Sequence, residues 1–373
     1  MHKLKFTCTK SELVQAVQIV SKAVSSKPQM PILSGIYLNA YDNTLELQAT
    51  DYEIGITCKI EAQIDEPGTI VLSGRYFQEV VRRLPGENIS LEFNRSEQTV
   101  RIISDSANFN LLSLPANEFP VIKELSGNTT FTIRDNIFRD LIKKTVFACS
   151  ADESRPIFTG CLLEVHGSDM IMAATNTHRL SVKREILDDF TGNIKIIIPS
   201  KILNELLRIM TSEIPTNVTV NCSYNQISFA FDNVYVTSRL IEGQFPDYTR
   251  VIPPQFATKI QIGTHAFQSA VDRVSLISRS GDYNIIRLDF KNNQVCITSN
   301  NPDIGKAEET VEASIEGPEL DIAFNAKYVT DVLKCLEGDV FSFSFNQSLS
   351  PAAMRPVNDD NFTYIVTPVR TAH

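Results

Sequence analysis

Apolar and polar positions along this chain follow two periods, and the switch between them recurs. Leu4–Cys8 reads as a short strand, and Ser11-Glu-Leu-Val-Gln-Ala-Val as an amphipathic helix after it. The same order returns at Phe131-Thr-Ile before Asn136-Ile-Phe-Arg-Asp-Leu-Ile, and at Ile260-Gln-Ile before Ala266-Phe-Gln-Ser-Ala-Val. A second helix recurs more sharply. Arg75-Tyr-Phe-Gln-Glu-Val-Val-Arg82, Lys201-Ile-Leu-Asn-Glu-Leu-Leu-Arg208 and Lys327-Tyr-Val-Thr-Asp-Val-Leu-Lys334 start at constant spacing, 126 residues apart. Strands precede two of them (Thr69–Leu72, 194–198), and 217–222 and 226–231 alternate with period two, as half-buried antiparallel strands do.

A repeat of this length is a repeat of domains. Phe119-Pro120 and Phe245-Pro246 mark unit ends, and the Gly- and Pro-containing stretches near 124–128 and 253–255 read as linkers. We expect domains at 1–125, 126–253 and 254–373, each α+β with two helices on one face of antiparallel sheet. Each domain shows helix-then-strands twice, which hints at an older internal duplication.

Each copy of the second helix opens and closes with a cation seven positions apart: Arg75 and Arg82, Lys201 and Arg208, Lys327 and Lys334. Seven positions is nearly two turns, so each pair shares a face. An acid stands at one offset throughout (Glu79, Glu205, Asp331), and offsets 76, 77, 80 and 81 and their equivalents form the apolar side. Taken singly, a cation on an exposed helix face is a solvated residue. Three matched pairs without interleaved aromatics suit phosphate contact without base reading.

Composition tempers that reading. The 373 residues are 43% hydrophobic and 21% charged, with net charge −9. A nucleic-acid binder usually shows a basic excess, so cations here must be concentrated on one surface with acids elsewhere. No apolar run reaches membrane-spanning length, and Met1–Thr7 has no apolar leader core, so we expect a cytoplasmic protein. The seven cysteines show no metal-ligand spacing, and we expect reduced thiols, no metal and no cofactor. Phosphate-loop, dinucleotide, zinc-protease and serine-hydrolase motifs are absent. His178 beside Arg179 could serve acid–base chemistry, but it has no identifiable nucleophile, and the other repeats carry neither residue there.

The periodicity, Pro31-Ile-Leu-Ser, Thr175…His178-Arg179-Leu180, Phe245-Pro246-Asp247-Tyr248 and Tyr364-Ile-Val-Thr-Pro-Val-Arg370 together resemble the bacterial β sliding clamp family, the β subunit of DNA polymerase III. The resemblance covers essentially the whole chain. It implies the DNA clamp fold, a head-to-tail homodimer closing a six-domain ring, and duplex DNA threaded through without sequence preference. It implies no catalysis, but tethering of the DNA polymerase III alpha subunit, the clamp loader and other clamp-binding-motif proteins. Arg75, Arg82, Lys201, Arg208, Lys327 and Lys334 would line the bore. By the same resemblance, a peptide would dock on Phe158, Thr175, Thr177, His178, Arg179, Leu180, Pro246, Val251, Asn325, Tyr328, Leu349, Ile365, Val366, Thr367, Pro368, Val369 and Arg370. Leu180, Val251, Leu349 and Ile365 would form its apolar anchor cavity. Phe109 and Leu111 would meet Leu276 and Ile277 of a second copy.

Three positions depart from the family pattern. Thr177 stands where glycine is usual, Thr367 often aligns with Met, and Thr371-Ala-His373 extends past Arg370. Two other readings stay open on the residues alone: a repeat-built scaffold that binds only proteins, and an enzyme centred on His178.

Overall fold

A computed structural model describes residues 4–25, 27–188, 190–279 and 284–370. The terminal Thr371–His373 extension lies outside the described residues. Six α-helices are present among them: α1 (Lys10–Val20), α2 (Gly74–Arg83), α3 (Asp135–Thr145), α4 (Ser200–Ile209), α5 (Thr264–Ser278) and α6 (Ala326–Leu333). Each repeat therefore supplies two, as the spacing predicts. Local chemistry sets their starts. Thr9 caps α1 by accepting from Glu12 N (3.4 Å), and its hydroxyl donates to the Glu12 carboxylate (2.5 Å). Asn325 caps α6 by accepting from Lys327 N (2.9 Å).

The chain divides into two compact units. One comprises residues 1–136 and 208–240, the other 137–207 and 241–373. Among the described residues each is built on one continuous antiparallel sheet, of 13 strands in the first and 12 in the second. Neither sheet stops at a repeat boundary. In the first unit, strand Val234–Arg239 of the middle repeat pairs with Ile54–Glu61 of the first, Val236 opposite Ile56. In the second, Arg179–Ile186 of the middle repeat pairs with Phe362–Val366 of the third, Leu180 opposite Ile365.

Strand alternation sorts the side chains. Along Val340–Phe345 the three phenylalanines turn inward, and Phe343 lies 4.4 Å from Phe345 and 5.7 Å from Phe324 between ring centroids. They join Ile260, Ile262, Phe267, Val329 and Tyr364 in the core of the third repeat. The other face of these strands presents Lys259, Gln261, Ser342 and Ser344. No helix among the described residues is long and apolar enough to cross a membrane.

Candidate functional site

All six repeat cations are exposed. Arg75 and Arg82 sit on α2, Lys201 and Arg208 on α4, and Lys327 on α6; Lys334 is the C-cap just past the end of α6. The helical acid engages them locally. Arg82 meets Glu79 at 3.3 Å, and Lys327 meets Asp331 at 2.8 Å. One feature departs from expectation. Tyr76, assigned to the apolar side, is 61% exposed, and the Arg75 guanidinium lies 5.8 Å from its ring centroid. The cationic face of α2 therefore does carry an aromatic. Its equivalent Ile202 is buried, and Tyr328 is half-buried.

Asp331 reaches beyond its helix. Its Oδ2 also accepts from Arg179 Nη1 at 2.7 Å, and both side chains are largely buried (5% and 13% exposed). Arg179 Nη2 donates to the Phe147 carbonyl. The guanidinium lies 4.6 Å from the Tyr328 ring centroid and 5.6 Å from that of Phe147. Burial works against this cation, but Tyr364 and Asp331 together hold its pKa above the ordinary value.

Arg179 ends a tight turn that begins at Thr175. Thr175 Oγ1 donates to Arg179 O (2.7 Å) and accepts from Thr177 N (3.1 Å). Asn176 Oδ1 accepts from His178 N (3.0 Å) and Arg179 N (3.1 Å). The turn forces φ +77° on Thr177, a conformation that β-branched residues strongly disfavour. The first repeat folds the same turn at 50–54: Thr50 bonds Ile54 O and Tyr52 N, Asp51 bonds Glu53 N and Ile54 N, and Tyr52 has φ +72°. Sequence reasoning flagged the missing glycine at 177; the structure shows why glycine suits the position.

Beside this turn lies an apolar cavity of about 230 Å³. Its lining includes Phe158, Thr175, Thr177, Arg179, Leu180, Pro246, Val251, Ile365 and Thr367, all expected, together with Asp247 and Tyr248, which were not. Leu180 (2%) and Ile365 (1%) are buried, whereas Val251 is 46% exposed at the mouth. Such a volume is below the roughly 300–1,000 Å³ of ordinary ligand pockets and suits one or two apolar side chains. Asp247 caps the short helical turn Tyr248–Val251, and hydrogen bonds from Thr249 and then Arg250 hold its carboxyl below the usual range. Tyr248 is buried, which pushes its phenol up to about 12. The Phe-Pro-Asp-Tyr motif was the available signal for both.

The other expected residues lie off the cavity wall. Val366 is turned to the opposite face of its strand, fully buried in the third-repeat core, because side chains alternate along a strand. Leu349 is 59% exposed and does not line the cavity. His178 stacks on Tyr328 (6.4 Å, 17°), whose hydroxyl accepts from Asn176 Nδ2 (3.3 Å). His178 O accepts from Thr367 N (2.9 Å), Asn325 serves as the α6 cap, and Val369 N donates to Ala323 O (2.8 Å). Pro368 is half-buried and Arg370 exposed. A larger polar hollow of about 1070 Å³ runs along α5, but its Arg273 and Glu309 already pair bidentately at 2.9 and 2.5 Å. At the expected subunit contact, Phe109 and Leu276 are exposed and Leu111 and Ile277 half-buried; Leu112, not anticipated, is 75% exposed.

Three family models match in order. The DNA polymerase III beta subunit N-terminal domain matches residues 4–123, the central domain 132–247 and the C-terminal domain 249–370. The chain belongs to the DNA polymerase III beta subunit family, the beta sliding clamps. The beta sliding clamp of Staphylococcus epidermidis is 34% identical over 377 residues, covering 99% of this chain and 100% of the relative. That of Staphylococcus aureus is equally similar. The solved DNA polymerase sliding clamp of Bacillus subtilis superposes with TM-score 0.94 at 37% identity, over 99% of this chain and 100% of its own. The Pseudomonas aeruginosa clamp, solved bound to griselimycin, gives 0.92 at 29%, with the same coverage of each chain. The protein thus has the three-domain clamp fold and acts as a sliding clamp, a processivity factor without catalytic activity. The protein-only scaffold and the His178-centred enzyme are set aside.

Proposed function

We propose that two copies of this clamp, each with domains at 1–125, 126–253 and 254–373, join head to tail into a six-domain ring around duplex DNA in the cytoplasm. The observation that carries this reading is the exposure of a cation at both ends of the second helix in every repeat. Among the described residues Arg82 and Lys327, both exposed, are engaged by ion pairs within their own helices; pairs with so exposed a cation are worth about 0–1 kcal/mol, so a phosphate can exchange for the carboxylate at little cost. Such contacts hold DNA without reading bases, so the ring slides. Phe109 and Leu111, on one face of their strand, offer one apolar patch and Leu276 with Ile277 another, as a head-to-tail contact that closes into a ring requires.

The cavity walled by Leu180 and Ile365 receives the apolar end of a short peptide from the DNA polymerase III alpha subunit, the clamp loader or another clamp-binding-motif protein. Burying one Leu or Phe side chain there contributes about 1.5–3 kcal/mol. Thr177 and Thr367 supply hydroxyls at the wall, while that of Thr175 holds the turn. His178, Tyr328 and Arg370 flank the turn and would meet the polar part of the peptide.

Retention on DNA after a salt wash tests the ring. Loaded protein should stay on nicked circles and slip from linear duplex. Leu276→Asp with Ile277→Asp should sediment as a monomer and be lost from both. Replacing the six cations by Ala should flatten the salt dependence of binding, by up to about 0.9 in log–log slope per phosphate contact removed. Equal retention on circular and linear DNA would refute the ring.

A further inference from the structure

A second hollow adjoins the apolar cavity on the same sheet face. It measures about 510 Å³, and its lining includes Lys259, Ser342, Ser344 and Arg355, with residues 253–256 along one side. Strand register fixes its position. Leu180 lies opposite Ile365, Ile365 opposite Ala353, Ala353 opposite Ser344, and Ser344 opposite Lys259. Directly opposed residues share a face, so one straight row runs from the cavity wall to Lys259. At about 4.8 Å per strand, Ile365 and Lys259 are about 14 Å apart. Arg355 stands opposite Ser342 and Gln261 in the next row. The segment from Val251, at the cavity mouth, to Phe256, in the hollow, forms a shared wall.

The charge of this hollow is unspent. Among the described residues neither Lys259 nor Arg355 has an ion-pair partner, and the buried Arg355 Nε has no hydrogen-bond partner. Ser342 and Ser344 hydroxyls, 3.4 Å apart, lie between the two cations. Asp360 is the one acid in the lining. In a protein of net charge −9, a paired Lys and Arg with two hydroxyls and no bound carboxylate is a ready acceptor for an acid.

We propose that this hollow is an acid-recognising subsite for the same bound peptide. Resting on the cavity reading above, it implies that favoured peptides carry an Asp or Glu about four or five residues from the apolar anchor. That number is the 14 Å row divided by about 3.3 Å per extended residue. Lys259 and Arg355 hold the carboxylate, and Ser342 and Ser344 donate to it. Partner choice then depends on charge as well as on the apolar end.

Two fluorescein-labelled peptides, identical except for Glu or Gln five residues from a Leu-Phe end, test this by polarisation against the full-length protein. The Glu peptide should bind about fivefold tighter at low salt, with the advantage shrinking as salt rises. Lys259→Gln with Arg355→Gln should erase the difference and leave the Gln peptide unchanged. Lys259→Gln alone, away from the buried Arg355 Nε, should erase part of it, with the melting temperature of each variant recorded. Equal affinity of the two peptides for the wild type overturns the subsite and leaves the cavity intact. Equal weakening of both peptides by Lys259→Gln also overturns it. Failure of both peptides to bind overturns the cavity reading and this subsite together.

Discussion

Removing the Asp331 carboxylate should destabilise the second unit far more than removing Lys327, although both share one ion-paired cluster. Asp331 holds Arg179 Nη1 at 2.7 Å, where the arginine side chain is only 5% exposed. Asp331→Ala leaves that guanidinium charged and nearly dry. Breaking a buried pair on one side costs about 3–5 kcal/mol. Arg179 keeps the Phe147 carbonyl and two aromatic faces, which places the expected loss near the lower end, about 3 kcal/mol. Lys327 is 65% exposed, so Lys327→Ala should lose only about 0.5 kcal/mol. Asp331→Asn keeps an acceptor and should fall between them. Urea unfolding followed by far-ultraviolet circular dichroism measures all three; the chain has no tryptophan, so its 10 tyrosines supply the fluorescence signal. Arg179→Met with Asp331→Leu should recover most of the loss, because an apolar pair carries no stranded charge. Equal small losses for Asp331→Ala and Lys327→Ala would refute the reasoning.

Two further outcomes are expected. Thr177→Gly should raise the thermal midpoint: relieving a β-branched residue at φ +77° is worth about 1–2 kcal/mol, and the unfolded freedom of glycine returns about 0.5–1. Tyr52→Gly, at φ +72° in the matching turn, serves as the internal control, and a fall in both midpoints would show that side-chain contacts outweigh backbone strain. Burial pushes the Cys8, Cys58 and Cys222 thiols from 9.0 up to about 12. Because the folded value is the higher one, their contribution to stability is complete below pH 9 and is lost as pH climbs toward about 12. Native protein at pH 8 should leave these three unreacted with Ellman's reagent; prompt labelling of all three would contradict their burial.

Local pattern made the helices legible. The 126-residue spacing located all three cationic helices, since amphipathic period and capping are properties of adjacent residues. Even there, α6 ends before Lys334, and Tyr76 faces outward where its apolar character suggested burial. The cavity was legible only through family resemblance, because Leu180 and Ile365 are brought opposite one another by long-range pairing. Val366 shows what a consecutive run of residues leaves out: strand alternation turns its side chain into the third-repeat core, away from the cavity. The merging of repeats into two long sheets had no signature in the chain, since the pairing of 54–61 with 234–239 spans most of two repeats.

That merging bears on how such a protein can be cut or recombined. Excising the middle repeat would strip Val234–Arg239 from Ile54–Glu61 and Arg179–Ile186 from Phe362–Val366, leaving two raw edges ready to aggregate. Chimaeras with a relative would tolerate crossovers only where both of these zippers come from matching parents. The middle repeat, paired into both sheets, is therefore the least transplantable part of the molecule.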